Sequence, residues 1–154
     1  MGKYGNVAKI AVDLINSGEN INPVDAWNSA TYQVFPDSES SRKKGCPRGA
    51  FLGLCEEGLV LGIESGQYTR AEKNKGYALK ALELLKNNPE LSSNEKELWK
   101  LVVESEKQSN HQMDVVITLF EEQLLAINKV KSTSFIKLFN QKLANKLLGI
   151  KNSL

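Results

Sequence analysis

Cys46 is the residue with the most chemical potential in this chain. It stands directly before Pro47, behind the run Ser40-Ser41-Arg42-Lys43-Lys44-Gly45 and ahead of Arg48. Proline belongs to the first turn of a helix. A thiol at that end sits in the positive pole of the helix dipole, which lowers its pKa and favours the thiolate. Lys43, Lys44 and Arg48 push the same way. Cys46 is therefore a candidate nucleophile or redox sensor. A cysteine nucleophile needs a base nearby. The only histidine, His111, falls in a turn between two helical patterns, and no spacing brings it to Cys46. The plainer reading is a small residue fitted to the turn before Pro47. No complete catalytic constellation is present, which leans against an enzyme.

The same segment suits an anion. Helix N-termini present free N–H groups, and Ser40, Ser41, Arg42, Lys43, Lys44, Gly45, Arg48 and Gly49 supply hydroxyls, cations and open backbone for a phosphate or carboxylate. The pattern is neither a Walker loop nor a dinucleotide fingerprint, because the glycine and lysine spacing differs and no strand precedes it. The alternative is an exposed basic loop.

Gly45, Gly49 and Gly53 recur every fourth residue on one helix face. Each interior glycine costs a helix roughly 1 kcal/mol relative to alanine, so the missing side chains must serve close approach. The approaching group is either another helix or a ligand, and helix contact is the favoured expectation. Cys55 lies on the apolar face with Phe51 and Leu54 and reads as core. The cysteine and histidine spacing matches no zinc pattern, and no metal or cofactor is implied.

Composition bounds the rest. The 154 residues carry a net charge of +2, too small to imply a nucleic-acid partner. The cations are nevertheless clustered. Past Glu122 there is no acid, while Lys129, Lys131, Lys137, Lys142, Lys146 and Lys151 follow. Nine residues of helix would hold Cys46 and Cys55 about 13 Å apart, beyond disulfide reach, so reduced thiols and a cytoplasmic location are expected. No apolar run of membrane-spanning length and no signal peptide is visible.

Helical periodicity positions these residues. Val7, Ile10, Ala11, Leu14 and Ile15 mark a first helix stopped by Gly18. Asn22-Pro23 starts a second, with Val24, Trp27, Ala30, Thr31 and Val34 inward, ended by Pro36. Asp37 to Lys44 reads as a polar loop. A third helix runs from about Pro47 to a left-handed cap at Gly58. Leu59 to Ile63 is a short apolar connector. Thr69 with Glu72, and Ser92 with Glu95, read as capping boxes for helices that bury Tyr77, Ala78, Ala81, Leu82 and Leu85, then Leu98, Trp99, Leu101 and Val102. Ser109 with Gln112 restarts a long helix reaching Ile127. Phe135, Ile136, Phe139, Leu143, Leu147 and Ile150 form a last amphipathic face, which either closes the core or meets a membrane surface or acidic partner.

The segment Lys44-Gly45-Cys46-Pro47-Arg48-Gly49-Ala50-Phe51-Leu52-Gly53-Leu54-Cys55-Glu56-Glu57-Gly58, with Tyr4-Gly5, Asp25-Ala26-Trp27 and Phe35-Pro36 ahead of it, resembles a family of small uncharacterised bacterial proteins. The resemblance covers about residues 4–63. It marks residues 40–58 as a distinctive surface and implies no activity.

These readings converge on an all-α fold: one compact orthogonal bundle of six to seven helices across 1–154. A three-helix part spans about 3–63, and a hairpin, long helix and tail helix span about 69–154. The expected function is a small binding or scaffold protein using the 40–58 surface for a protein partner or anionic small molecule. The alternatives are a helix-turn-helix-like nucleic-acid binder using Arg42, Lys43, Lys44 and Arg48, and a thiol enzyme or sensor using Cys46. The first alternative is weakened by a connection of about ten residues between its two helices, against a typical ~3–4.

Overall fold

The computed structural model describes residues 1–19, 21–103 and 105–130, together with Gln141 and Asn145. The expected tail helix, with Phe135 to Ile150 and the lysines beyond Lys129, lies outside the described residues except at those two positions.

The described residues form an all-α bundle of six helices of nine residues or more, one short α-helical turn and two 3₁₀ turns. α1 (Lys3–Asn16) buries Tyr4, Val7, Ala8, Ala11 and Val12. The stripe is rotated from the expected one: Ile10, Leu14 and Ile15 are only partly buried. α1 packs against both α2 and α7, and the small side chains of Ala8 and Ala11 suit that double contact.

α2 (Pro23–Val34) starts as its sequence indicates, with the Asn22 side chain accepting the Asp25 N–H at 2.9 Å. Trp27 is fully buried and stacks on Phe51, ring centroids 5.2 Å apart. The expected polar loop then contains a turn of helix, α3 (Glu39–Arg42). Ser38 caps it by accepting the Ser41 N–H, and the Arg42 guanidinium donates to the Phe35 and Pro36 carbonyls at the end of α2. A serine cap and an arginine on orphan carbonyls order a stretch that composition alone reads as loop.

α4 (Gly45–Glu56) ends as expected. Gly58 is left-handed (φ 67°), its N–H donates to the Cys55 carbonyl, and the Leu59 N–H donates to the Leu54 carbonyl. Those two bonds are a Schellman closure. The apolar connector pairs through an antiparallel bridge, Val60 with Leu125, and then turns at Leu61-Gly62, where the Ile63 N–H donates to the Val60 carbonyl.

Two expected capping boxes do not form. α5 (Glu72–Asn87) begins beyond Thr69, whose hydroxyl accepts the Ala71 N–H and caps nothing. α6 (Glu95–Val103) is capped by Asn94, which accepts the Glu97 N–H, and not by Ser92, which belongs to a 3₁₀ turn over Pro89–Ser93. α7 (Gln112–Glu121) opens at His111 without the Ser109 cap and stops well short of Ile127. Left-handed Gln123 (φ 58°) ends it, the Leu124 N–H returning to the Leu119 carbonyl. The chain then pairs with the connector after α4, so tertiary pairing overrides the helical pattern.

α7 is the axis of the bundle and touches α1, α4, α5 and α6. Its residues from Gln112 to Leu119 are buried on every side, as a helix apolar around its circumference must be. No helix among the described residues is long and apolar enough to cross a membrane.

Candidate functional site

His111 is the chain's only histidine and holds the N-cap position of α7. Its backbone is left-handed (φ 69°), a conformation that histidine adopts more readily than most residues. Its side chain caps nothing and instead packs on Tyr4, ring centroids 4.7 Å apart. Tyr4 also meets Phe35 at 4.9 Å and donates its hydroxyl to the Ser41 carbonyl at 2.9 Å. Burial pushes the Tyr4 phenol above its ordinary value of 10.0. This contact ties α1 to the α3 turn.

One turn into α7, Asp114 is buried and its carboxylate reaches across to α1. It accepts the Gly2 N–H at 2.8 Å and the Gly5 N–H at 2.7 Å. These are orphan donors of a helix N-terminus, so Asp114 caps α1 from a different helix. The approach is close. A Cβ on Gly5 would fall 2.0 Å from the Thr118 hydroxyl oxygen and 2.8 Å from an Asp114 carboxylate oxygen.

Between these elements lies a cleft of about 360 Å³, walled by Tyr4, Ser41, Lys44, Glu95, His111 and Asp114 among others. Lys44 reaches Asn110 with its ammonium, 3.5 Å from the amide oxygen. Glu95 stands on the exposed rim. The surrounding wall and the Asp114 charge raise its carboxyl above the ordinary 4.5, an effect that solvent access keeps moderate. Glu95 and His111 also border a larger open cavity of about 870 Å³ whose floor includes Trp99. The Trp99 indole N–H is spent on the Lys107 carbonyl at 2.7 Å, which folds the 105–109 segment over it. Glu95 and His111 therefore line both hollows. Together their walls include the Tyr4, Phe35 and Trp99 rings, Lys44 among several lysines, the His111 imidazole and the carboxyls of Glu95 and Asp114. That set suits a small molecule with an anionic group and an apolar body.

The segment singled out in the sequence is divided by the fold. Ser41 and Lys44 line the cleft. Arg42 is held on the Phe35 and Pro36 carbonyls and lies over the Tyr32 ring, 4.3 Å from its centroid. Lys43 pairs with Glu39 on the same turn. Ser40 is exposed, beside the Ser38 hydroxyl. Gly45 is open, with no atom within 4 Å of where its Cβ would stand. Gly49 and Gly53 face α5: a Cβ would sit 2.7 Å from that of Ala71 and 2.6 Å from that of Lys75, respectively. The glycine stripe is thus a helix seam over two of its three positions. Arg48 borders a separate cleft with the segment before α5.

Cys46 is partly exposed and lines neither hollow beside His111. Cys55 is fully buried, and burial pushes its thiol far up. Among the described residues no group of three His, Cys, Asp or Glu is placed to hold a metal ion.

Tyr4, Glu95 and Asp114 were not legible as site residues, because each meets the others only through tertiary contact. Gly2 and Gly5, spaced along the first turn of α1, are the one local sign that another element presses there.

The chain belongs to a family of unknown function, DUF6979, whose model matches residues 1–126. No curated protein and no solved structure matches it. The family match takes in every residue of the His111 cleft and all of α4.

Proposed function

We propose that the protein binds a small anionic molecule in the cleft between the N-terminal ends of α1, α4 and α7, with Lys44 and His111 meeting its charge and Tyr4 its apolar part. The observation that carries this reading is the convergence of Tyr4, Ser41, Lys44, Glu95, His111 and Asp114 on one hollow from separate elements. No side chain caps α4, so its first N–H groups add positive potential on the Lys44 side. Of the basic run, Lys44 is the member this reading uses.

Two free thiols and the spacing of Cys46 from Cys55 favour a reducing, cytoplasmic setting for this binding role. A bacterial origin rests on the motif resemblance alone. The helix-turn-helix reading is disfavoured, since α4 buries Pro47 and every residue from Gly49 to Cys55 and so presents little face to a DNA groove.

Native mass spectrometry of freshly purified protein, set against its denatured mass, tests the proposal. Extra mass lost on denaturation, and reduced in Lys44→Ala and His111→Ala, supports it. A bare protein that also shows no saturable response to a panel of small carboxylates and phosphates overturns it.

A further inference from the structure

A third hollow, of about 760 Å³, lies between α4 and the chain that leads into α5. Arg48, Glu56, Tyr68, Arg70, Glu72 and Lys75 are on its walls. Glu56 builds it. Its carboxylate accepts the Tyr68 and Thr69 N–H groups at 2.7 and 2.8 Å and the Lys75 ammonium at 2.9 Å. The Glu56 carbonyl takes the Gly66 N–H as well. One side chain and its own backbone thus pin residues 66–69 across the end of α4.

The charges on these walls are unequally used. Lys75 is spent on Glu56 and on Glu57. The Arg48 and Arg70 guanidiniums have no hydrogen-bond or ion-pair partner among the described residues, although both residues line the hollow. Glu72 is the only wall carboxylate left to oppose them. Two guanidiniums without partners on the walls of one hollow give it a positive potential that suits an anion. Their planar forks match the paired oxygens of a phosphate better than a point charge would. No side chain caps the start of α5 beside them.

We propose that this hollow is a phosphate site, in which Arg48 and Arg70 hold the anion from two sides over the frame that Glu56 fixes. It is separate from the His111 cleft and does not depend on it. The ligand is a phosphate group, free or carried on a small metabolite.

The test is a titration with inorganic phosphate at constant ionic strength, read from the backbone amide resonances of residues 67–71. Saturable shifts are expected there. Arg48→Ala and Arg70→Ala should each weaken binding about tenfold or more, the worth of a charge-assisted hydrogen bond. Glu72→Gln should tighten it, and Lys44→Ala should leave it unchanged, which separates this proposal from the His111 cleft. Arg48→Lys keeps the charge and loses the fork, so an intermediate weakening is expected even if the alanine variant proves poorly folded. A parallel titration with glycerol phosphate identifies the source: comparable binding means a phosphomonoester, and binding of inorganic phosphate alone means the free ion. Absence of saturation, or shifts that the arginine substitutions leave unaltered, overturns the proposal.

Discussion

The two ends of α4 carry the same residue types and meet opposite fates. At the N-terminal end, Gly45 faces open space, Cys46 is partly exposed and Lys44 borders the His111 cleft. Further along, Gly53 is pressed on Lys75, Cys55 is fully buried and Glu56 is clamped by the chain entering α5. The difference lies in the neighbour. α5 runs against the C-terminal part of α4 and leaves the first turn free. Glycine at helical spacing reports where room is needed, and only the packing partner decides whether a helix or a ligand takes that room.

Thiol labelling should separate the two ends by the largest margin. Cys46 should react in the folded protein. Cys55 must wait for local or global opening, and burial also disfavours its thiolate. With opening costing several kcal/mol, the rates should differ by about 10³-fold or more. Comparable rates, followed by mass spectrometry of labelled peptides, would break the comparison.

Alanine at Gly53 should come next. The new Cβ would lie 2.6 Å from the Lys75 Cβ and 2.8 Å from its Cα. Backbone cannot swing aside as a side-chain tip can, so α4 and α5 must part. Overpacking of this kind costs about 1–3 kcal/mol, more than the roughly 1 kcal/mol that alanine adds to helix propensity. The midpoint of urea unfolding should fall for Gly53→Ala and stay nearly level for Gly45→Ala.

Glu56→Gln should weaken the same end by about 1–2 kcal/mol, the worth of a charged hydrogen-bond set whose cation keeps a second carboxylate in Glu57. The acid limb gives an independent sign. Lys75 first, and then the Thr69 and Tyr68 N–H groups, hold the Glu56 carboxyl at about 2, below its ordinary 4.5. Its contribution is therefore complete above pH 4.5 and is lost as pH falls towards 2. The glutamine variant should show a shallower loss of stability across that window. An unchanged slope would mean that the clamp contributes little.

What could be read from the sequence was whatever local chemistry decides. Asn22-Pro23 starts α2 and Gly58 ends α4 because a cap needs only residues within a turn of it. Thr69 and Glu72 had the right spacing for a box, but the Thr69 N–H is taken by Glu56 from another helix, and no pattern within the segment reveals that. The helical pattern reaches Ile127 because the periodicity continues past α7, whereas tertiary pairing of Leu125 with Val60 takes the chain out of the helix. The site divides the same way. Ser41 and Lys44 were visible as cationic and hydroxyl groups beside a helix start. Their partners Tyr4, Glu95 and Asp114 come from positions far apart in the chain, joined by the trans cap of Asp114 on α1.

The smallest effect is also the sharpest on the comparison. Gly76 lies within α5, the helix that closes the seam, one residue from the Lys75 that Gly53 touches. A Cβ built on Gly76 meets nothing within 4 Å. Glycine there loses backbone entropy on folding and returns no contact. Gly76→Ala should therefore stabilise the protein by up to about 1 kcal/mol, seen as a higher urea midpoint with an unchanged slope. The same chemical change would then have opposite signs at Gly53 and Gly76. If Gly76→Ala destabilises instead, a partner of α5 occupies the space beside it, and the seam with α4 is not the only face on which α5 is closed.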